Sequence, residues 1–136
     1  MAQFVTTKEN YTMKANVSVI GKDIVIEITG GDNPHIGTVT TLTANTEMQT
    51  VRFPSHDGRL HKDDVLARRI GQMIQSQLPG SCTITAGVHV NHISKKQIMV
   101  SGSMASDLGK QILNWLSNFD FNAPDPIYYS DSEKPQ

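Results

Sequence analysis

The stretch YTMKANVSVIGKDIVIEIT, residues 11–29, decides the architecture. Tyr11, Met13, Ala15, Val17 and Val19 alternate with Thr12, Lys14, Asn16 and Ser18. A period of two puts the apolar set on one face of a strand and the polar set on the other. Gly21-Lys22-Asp23 then forms a compact turn, and the β-branched run Ile24 to Thr29 supplies a partner strand. The reading is a β-hairpin with one buried and one wet face.

Working outward, Thr38 to Ala44 reads as a third strand and Met48 to Phe53 as a fourth, joined by a short polar turn. From His61 the period changes. Leu66, Ile70, Met73, Ile74 and Leu78 fall on one helical stripe, with Asp63 and Asp64 in the first turn, where carboxylates suit the helix dipole. Pro79-Gly80 stops that helix, and Cys82, Ile84, Ala86 and Val88 alternate as a fifth strand ending at His89. Ser94 and Gln97 make a capping box for a short helix, and Leu108, Ile112, Trp115, Leu116 and Phe119 mark a final one. The order β-β-β-β-α-β-α predicts an α+β fold of two layers, an antiparallel meander with helices packed on one face. Residues 1–120 form a single domain, and the acidic, proline-containing residues 121–136 a loose tail.

Composition narrows the function classes. A chain of 136 residues with 38% hydrophobic and 18% charged residues suits one globular domain. The net charge of −1 gives no global pull toward nucleic acid or an anionic membrane. No apolar run approaches a membrane span, and the N-terminus lacks the basic-then-apolar pattern of a secretory signal, so a cytoplasmic protein is expected. The single cysteine, Cys82, excludes an internal disulfide and a cysteine-based zinc cluster within one chain, and reads as a small buried hydrophobe.

Three segments carry candidate chemistry. GGDNPHIG, residues 30–37, crowds two glycines, an acid, a proline and a histidine into one turn. Gly30, Gly31 and Gly37 let backbone amides come close to a ligand, with Asp32, His35 and Ile36 beside them and Pro34 fixing the approach to His35. In SHDGRLHKDD, residues 55–64, Arg59, His61 and Lys62 lie at a helix start, where free N–H groups and cations favour an anion. In AGVHVNH, residues 86–92, Gly87 and His89 sit where a buried strand opens into a loop. His89 and His92 also suggest metal ligands shared with His35 or His61, but an HxxH pair outside a helix is a weak signal, and no metal is assigned. There is no GxxxxGK[ST] loop, no GxGxxG fingerprint and no GxSxG elbow. The spacing of Asp32, Asp63 and Asp64 does not demand a paired-carboxylate site. Pattern alone therefore reaches a polar ligand pocket able to bind an anion.

VIGKDIVIEITGGDNPHIGTVT, HKDDVLARRIG and TAGVHVNHIS, taken in that order, resemble the LpdD-like family. These are small proteins associated with UbiD-like decarboxylases of hydroxyaromatic acids such as gallate, and regarded as chaperones for prenylated flavin mononucleotide. The resemblance runs from about Val17 to about Leu116. It implies prenylated FMN as the cofactor bound. It also implies a UbiD-like decarboxylase subunit and the flavin prenyltransferase as partners. On that implication the glycine amides and the His61-Lys62 helix start hold the phosphate, while His35 and His89 reach the isoalloxazine. With only 6% aromatic residues, the chain would need an apolar slot completed by a second subunit, hence a homodimer. The expected role is a non-catalytic carrier. The alternatives are an enzyme of flavin maturation, with His35 or His89 moving protons, a structural subunit without flavin, and a histidine-metal hydrolase.

Overall fold

The computed structural model describes residues 1–133 and 135. Six strands and two helices follow in order: β1 Ala2–Lys8, β2 Tyr11–Ile20, β3 Asp23–Gly31, β4 Thr38–Thr43, β5 Thr46–Arg52, α1 Asp64–Ile74, β6 Cys82–His89 and α2 Lys95–Asn118. A single 3-10 turn, Gln75–Gln77, extends α1. The class is α+β, with both helices on one face of the sheet. The strands lie in the order β1-β2-β3-β6-β4-β5.

The alternation in β2 is what sets the layers. Tyr11, Met13, Ala15 and Val17 are buried beneath the helices with Ile24, Ile26 and Ile28 of β3 and Ile84 and Ala86 of β6. Burying each large side chain contributes about 1.5–3 kcal/mol. Lys14 stays exposed on the opposite face, and Thr12, Asn16 and Ser18 are partly covered there. Ala67, Ile70 and Ile74 of α1 meet Met104, Ala105, Leu108 and Ile112 of α2 over this core.

Three details differ from the sequence expectation. The sheet is not a simple meander: β6 enters between β3 and β4, parallel to β3 and antiparallel to β4. Helix α1 supplies the crossover that such a parallel strand needs. A further strand, β1, pairs along β2 from Ala2↔Val17 to Lys8↔Tyr11, and its Phe4 packs edge-on against Trp115. The two helices expected after Ser94 are one continuous helix of 24 residues, opened by the Ser94–Gln97 capping box. The glycines inside it are contact points rather than breaks. A side chain at Gly102 would strike the Arg69 guanidinium, and one at Gly109 would meet the Met73 sulfur at 2.6 Å.

At the C-terminal end, Phe121 packs on Trp115 and Phe119 with ring centroids 6.0 and 4.7 Å away. Described residues beyond it form no helix or strand, and Lys22 holds Asp125 at 2.6 Å. Among the described residues no helix is long and apolar enough to cross a membrane.

Candidate functional site

The GGDNPHIG turn joins β3 to β4, and these strands are separated by β6. The turn must therefore pass over the end of β6, and its backbone hydrogen-bonds to that strand. The Asp32 and Asn33 amides donate to the His89 carbonyl at 2.6 and 3.4 Å, and the Gly37 amide donates to Ala86 at 2.8 Å. Gly31 has φ of +76° and faces the His89 carbonyl, so both its conformation and its space exclude a side chain. The turn does wrap something: the strand end of its own chain. The Gly37 amide expected to reach a phosphate is already engaged.

This crossing brings His35 against the start of α1. His35 Nε2 lies 3.7 Å from Asp63 Oδ2, and His61 Nδ1 lies 3.5 Å from the same oxygen. The two imidazoles are tilted with centroids 4.8 Å apart. Asp63 is the N-cap of α1, yet its side chain makes no cap hydrogen bond. Aspartate at an N-cap ordinarily accepts an amide of the first turn. Here Oδ1 instead accepts from the Val88 amide of β6 at 3.2 Å, leaving Oδ2 toward the histidines. His35 Nδ1 donates to the Asn33 carbonyl at 2.8 Å, which places a proton there and, in the neutral ring, leaves the lone pair on Nε2.

Glycine makes this closeness possible. A Cβ on Gly37 would collide with Asp63 Oδ2 and approach His61 Nδ1 to 2.9 Å. A Cβ on Gly87 would collide with the His35 carbonyl and approach its ring Cγ to 2.9 Å. Among the described residues, two buried side-chain polar atoms lack a hydrogen-bond partner, His35 Nε2 and Thr38 Oγ1, and both belong to this turn and its exit. Tyr11 lies within electrostatic reach. Burial pushes its phenol up, a hydrogen bond to Ser101 opposes that, and the Asp63 charge adds to the rise.

Of the residues singled out from sequence, His35, His61, Gly37 and Gly87 come together. Gly30 is buried within β3 and Gly31 ends it. Asp32 Oδ2 accepts the Asn91 amide at 2.8 Å, and His89 Nε2 pairs with Asn91 Oδ1 at 3.1 Å, both apart from the cluster. Arg59 folds back on Asp57 at 2.9 Å within its own loop, and Lys62 is exposed. Asp57, hydrogen-bonded by Ser55 and by the Arg59 amide, is lowered to about 2. Asp32, Asp63 and Asp64 have separate partners: Asp64 is buried and held by Arg52 at 3.1 and 3.0 Å, with Arg68 at 3.8 Å. Asp63 is the residue whose role sequence reasoning missed, since a carboxylate in a first turn is accounted for by the helix dipole alone.

The loop from Phe53 to Lys62 flanks the cluster. The Phe53 amide donates to Gly37, the His61 amide donates to Phe53, and Pro54 bridges Leu60. The exposed apolar residues on these bonded segments, at the rim of the site, are Ile36, Phe53 and Leu60, exposed by 57, 43 and 55%. Beside it runs an open groove of about 630 Å³ lined by Thr50, Arg52, Leu60, Asp64, Val65 and Arg68.

Comparison with known proteins places the chain. The sequence model of the prenylated flavin chaperone LpdD-like domain matches residues 7–117. Protein LpdD of Lactiplantibacillus plantarum is 52% identical over 136 residues, the full length of both chains. A chain from a chaperone complex for yeast 20S proteasome assembly aligns with 79% of this chain and 96% of its own, at 15% identity and a TM-score of 0.41. That distant likeness carries no functional weight. With a family domain across most of its length and a full-length relative, the chain belongs to the LpdD-like family of prenylated flavin chaperones.

Proposed function

We propose that this chain binds prenylated FMN at the rim of Ile36, Phe53 and Leu60 and carries it to a UbiD-like decarboxylase of hydroxyaromatic acids. The observation that carries this reading is the exposed apolar rim beside a cluster of imidazoles, in a chain of the prenylated flavin chaperone family. A prenylated isoalloxazine is a large apolar plate with polar edges. Ile36, Phe53 and Leu60 offer it apolar surface, and the partly exposed His61 offers a ring nitrogen to its edge.

The phosphate needs cations. Arg59 is tied to Asp57, but Arg52 and Arg68 surround the single carboxylate of Asp64 and leave a net positive charge in the groove beside Leu60. The groove lies within the size range of small-molecule sites. Its openness suits a carrier, because cargo that must be handed on cannot be fully enclosed. A second copy of the chain, the decarboxylase or the prenyltransferase would complete the exposed side, and the cytoplasm is where such a hand-over would occur.

Native mass spectrometry of the protein with prenylated FMN, and with FMN as control, tests this directly. A mass increase with the prenylated flavin alone supports a selective carrier, and its stoichiometry reports a shared site. Binding of neither flavin overturns the carrier reading in favour of a structural subunit. Consumption of the flavin by catalytic amounts of protein would make it an enzyme of maturation instead.

A further inference from the structure

We propose that His35 Nε2, His61 Nδ1 and Asp63 Oδ2 form a binding site for one divalent transition-metal ion of the zinc type. The three ligand atoms lie within 4.8 Å of one another. The individual separations are informative. At 3.7 and 3.5 Å, neither imidazole is at hydrogen-bonding distance from the carboxylate oxygen. Ligands around a tetrahedral zinc ion, with bonds of about 2.0–2.1 Å, sit about 3.3–3.4 Å from each other. Both imidazole–carboxylate separations are thus too long for a hydrogen bond and within a few tenths of an ångström of the spacing for a shared ion, while the two imidazole nitrogens lie within 4.8 Å of each other.

Three independent features prepare the donors. The Asn33 carbonyl holds the proton of His35 on Nδ1, so Nε2 presents a lone pair, and that atom is buried without a hydrogen-bond partner. A backbone carbonyl on the far ring nitrogen is the usual way a protein orients a ligating histidine. The Val88 amide holds Asp63 Oδ1 and turns Oδ2 to the imidazoles, at the expense of the helix cap that this side chain would otherwise make. Gly37 clears the space in which His61 and Asp63 meet. Two imidazoles and one carboxylate suit zinc, iron(II) or cobalt(II) rather than calcium or magnesium, which prefer all-oxygen sets. Three protein ligands leave at least one coordination position for water or an exogenous ligand.

The assignment differs from the HxxH reading, because His89 bonds to Asn91 and His92, at φ of 51°, is exposed. It also stands apart from the flavin reading, since it can be measured without flavin. Chelator-treated, flavin-free protein is titrated with Co²⁺ and followed by visible absorption, with Zn²⁺ as competitor. The expected result is one Co²⁺ per chain, visible d–d bands, and displacement by Zn²⁺. Asp63→Asn keeps an oxygen for the Val88 amide and so preserves the fold, which circular dichroism checks; it and His61→Gln each weaken binding by about tenfold or more. His92→Asn leaves binding unchanged. No uptake of Co²⁺ or Zn²⁺ at millimolar concentration, or equal binding by both ligand variants, overturns the site. The same preparations are tested with prenylated FMN. Ion uptake without flavin binding upholds this site and removes the flavin reading, whereas flavin binding without ion uptake does the opposite.

Discussion

Gly87 lies directly beneath His35, and no side chain fits between them: a Cβ at position 87 would fall on the His35 carbonyl. The backbone of the turn rests on the strand end and aims the imidazole at Asp63 from there. Gly87→Ala must lift the turn, an overpacking change of about 1–3 kcal/mol. Urea unfolding measures it, and the variant should also lose whichever ligand the His35 ring serves. Stability and binding equal to the parent would show that the turn moves freely over β6.

Arg52 is the principal partner of a buried carboxylate. Its guanidinium makes two hydrogen bonds to Asp64 and is raised by them, while Arg68 stands farther off at 3.8 Å. Arg52→Leu leaves Asp64 with that weaker contact. The expected result at pH 7 is a lower urea midpoint than the parent's, a modest change because Arg52 is itself 45% exposed. If Arg68 swings in and replaces it, urea unfolding will show no loss.

Cys82 is buried in the central strand, and burial pushes its thiol up to about 12. The folded protein should leave a thiol reagent unreacted at pH 8 and react with one equivalent after unfolding in urea. The sign for stability follows from the neutral form being the one favoured by folding. The contribution is whole below the ordinary thiol value of 9.0 and is lost as pH rises toward about 12. Fast labelling of the native protein at pH 8 would show that β6 opens readily.

Ile36 and Phe53 are exposed at the rim, so polar replacements cost the fold little. Ile36→Ser and Phe53→Ser should each stay within about 0.5 kcal/mol of the parent in stability. Both should weaken prenylated FMN binding by about tenfold, as expected when about 1.4 kcal/mol of apolar contact is lost. Fluorescence titration reads the affinity. Unchanged affinity in both would move the flavin away from this rim.

The layers were legible because the code for them is local. Alternation from Tyr11 to Val19 and the stripe from Leu66 to Leu78 each report which side faces the core, wherever the neighbours lie. The insertion of β6 between β3 and β4 was not legible, because the pattern of Cys82, Ile84 and Ala86 says which face is buried but not which strands flank it. β1 escaped notice because its apolar content is slight: Val5 is exposed, and the value of Phe4 depends on the distant Trp115. The continuity of α2 was not legible, because Gly102 and Gly109 are poor helix formers and their close contacts with Arg69 and Met73 can be seen only in three dimensions. At the site, His35 and His61 stood out as histidines in turns, whereas Asp63 joins them only because β6 supplies the Val88 amide that turns it.

The position of β6 also governs when the site can come into being. β3 and β4 are made early but do not pair with each other, and the strand that joins them ends at His89. Synthesis proceeds from the N-terminus, so a nascent chain holds His35, His61 and Asp63 long before anything draws them together. The parallel pairing of β3 with β6 closes a long loop, a step whose entropy must be overcome before its contacts repay it. A half-made or partly unfolded chain consequently offers no half-strength site. Occupancy then certifies that the last strand is home, and a bound ligand, by favouring only that state, would protect finished molecules from the proteases that clear unfinished ones.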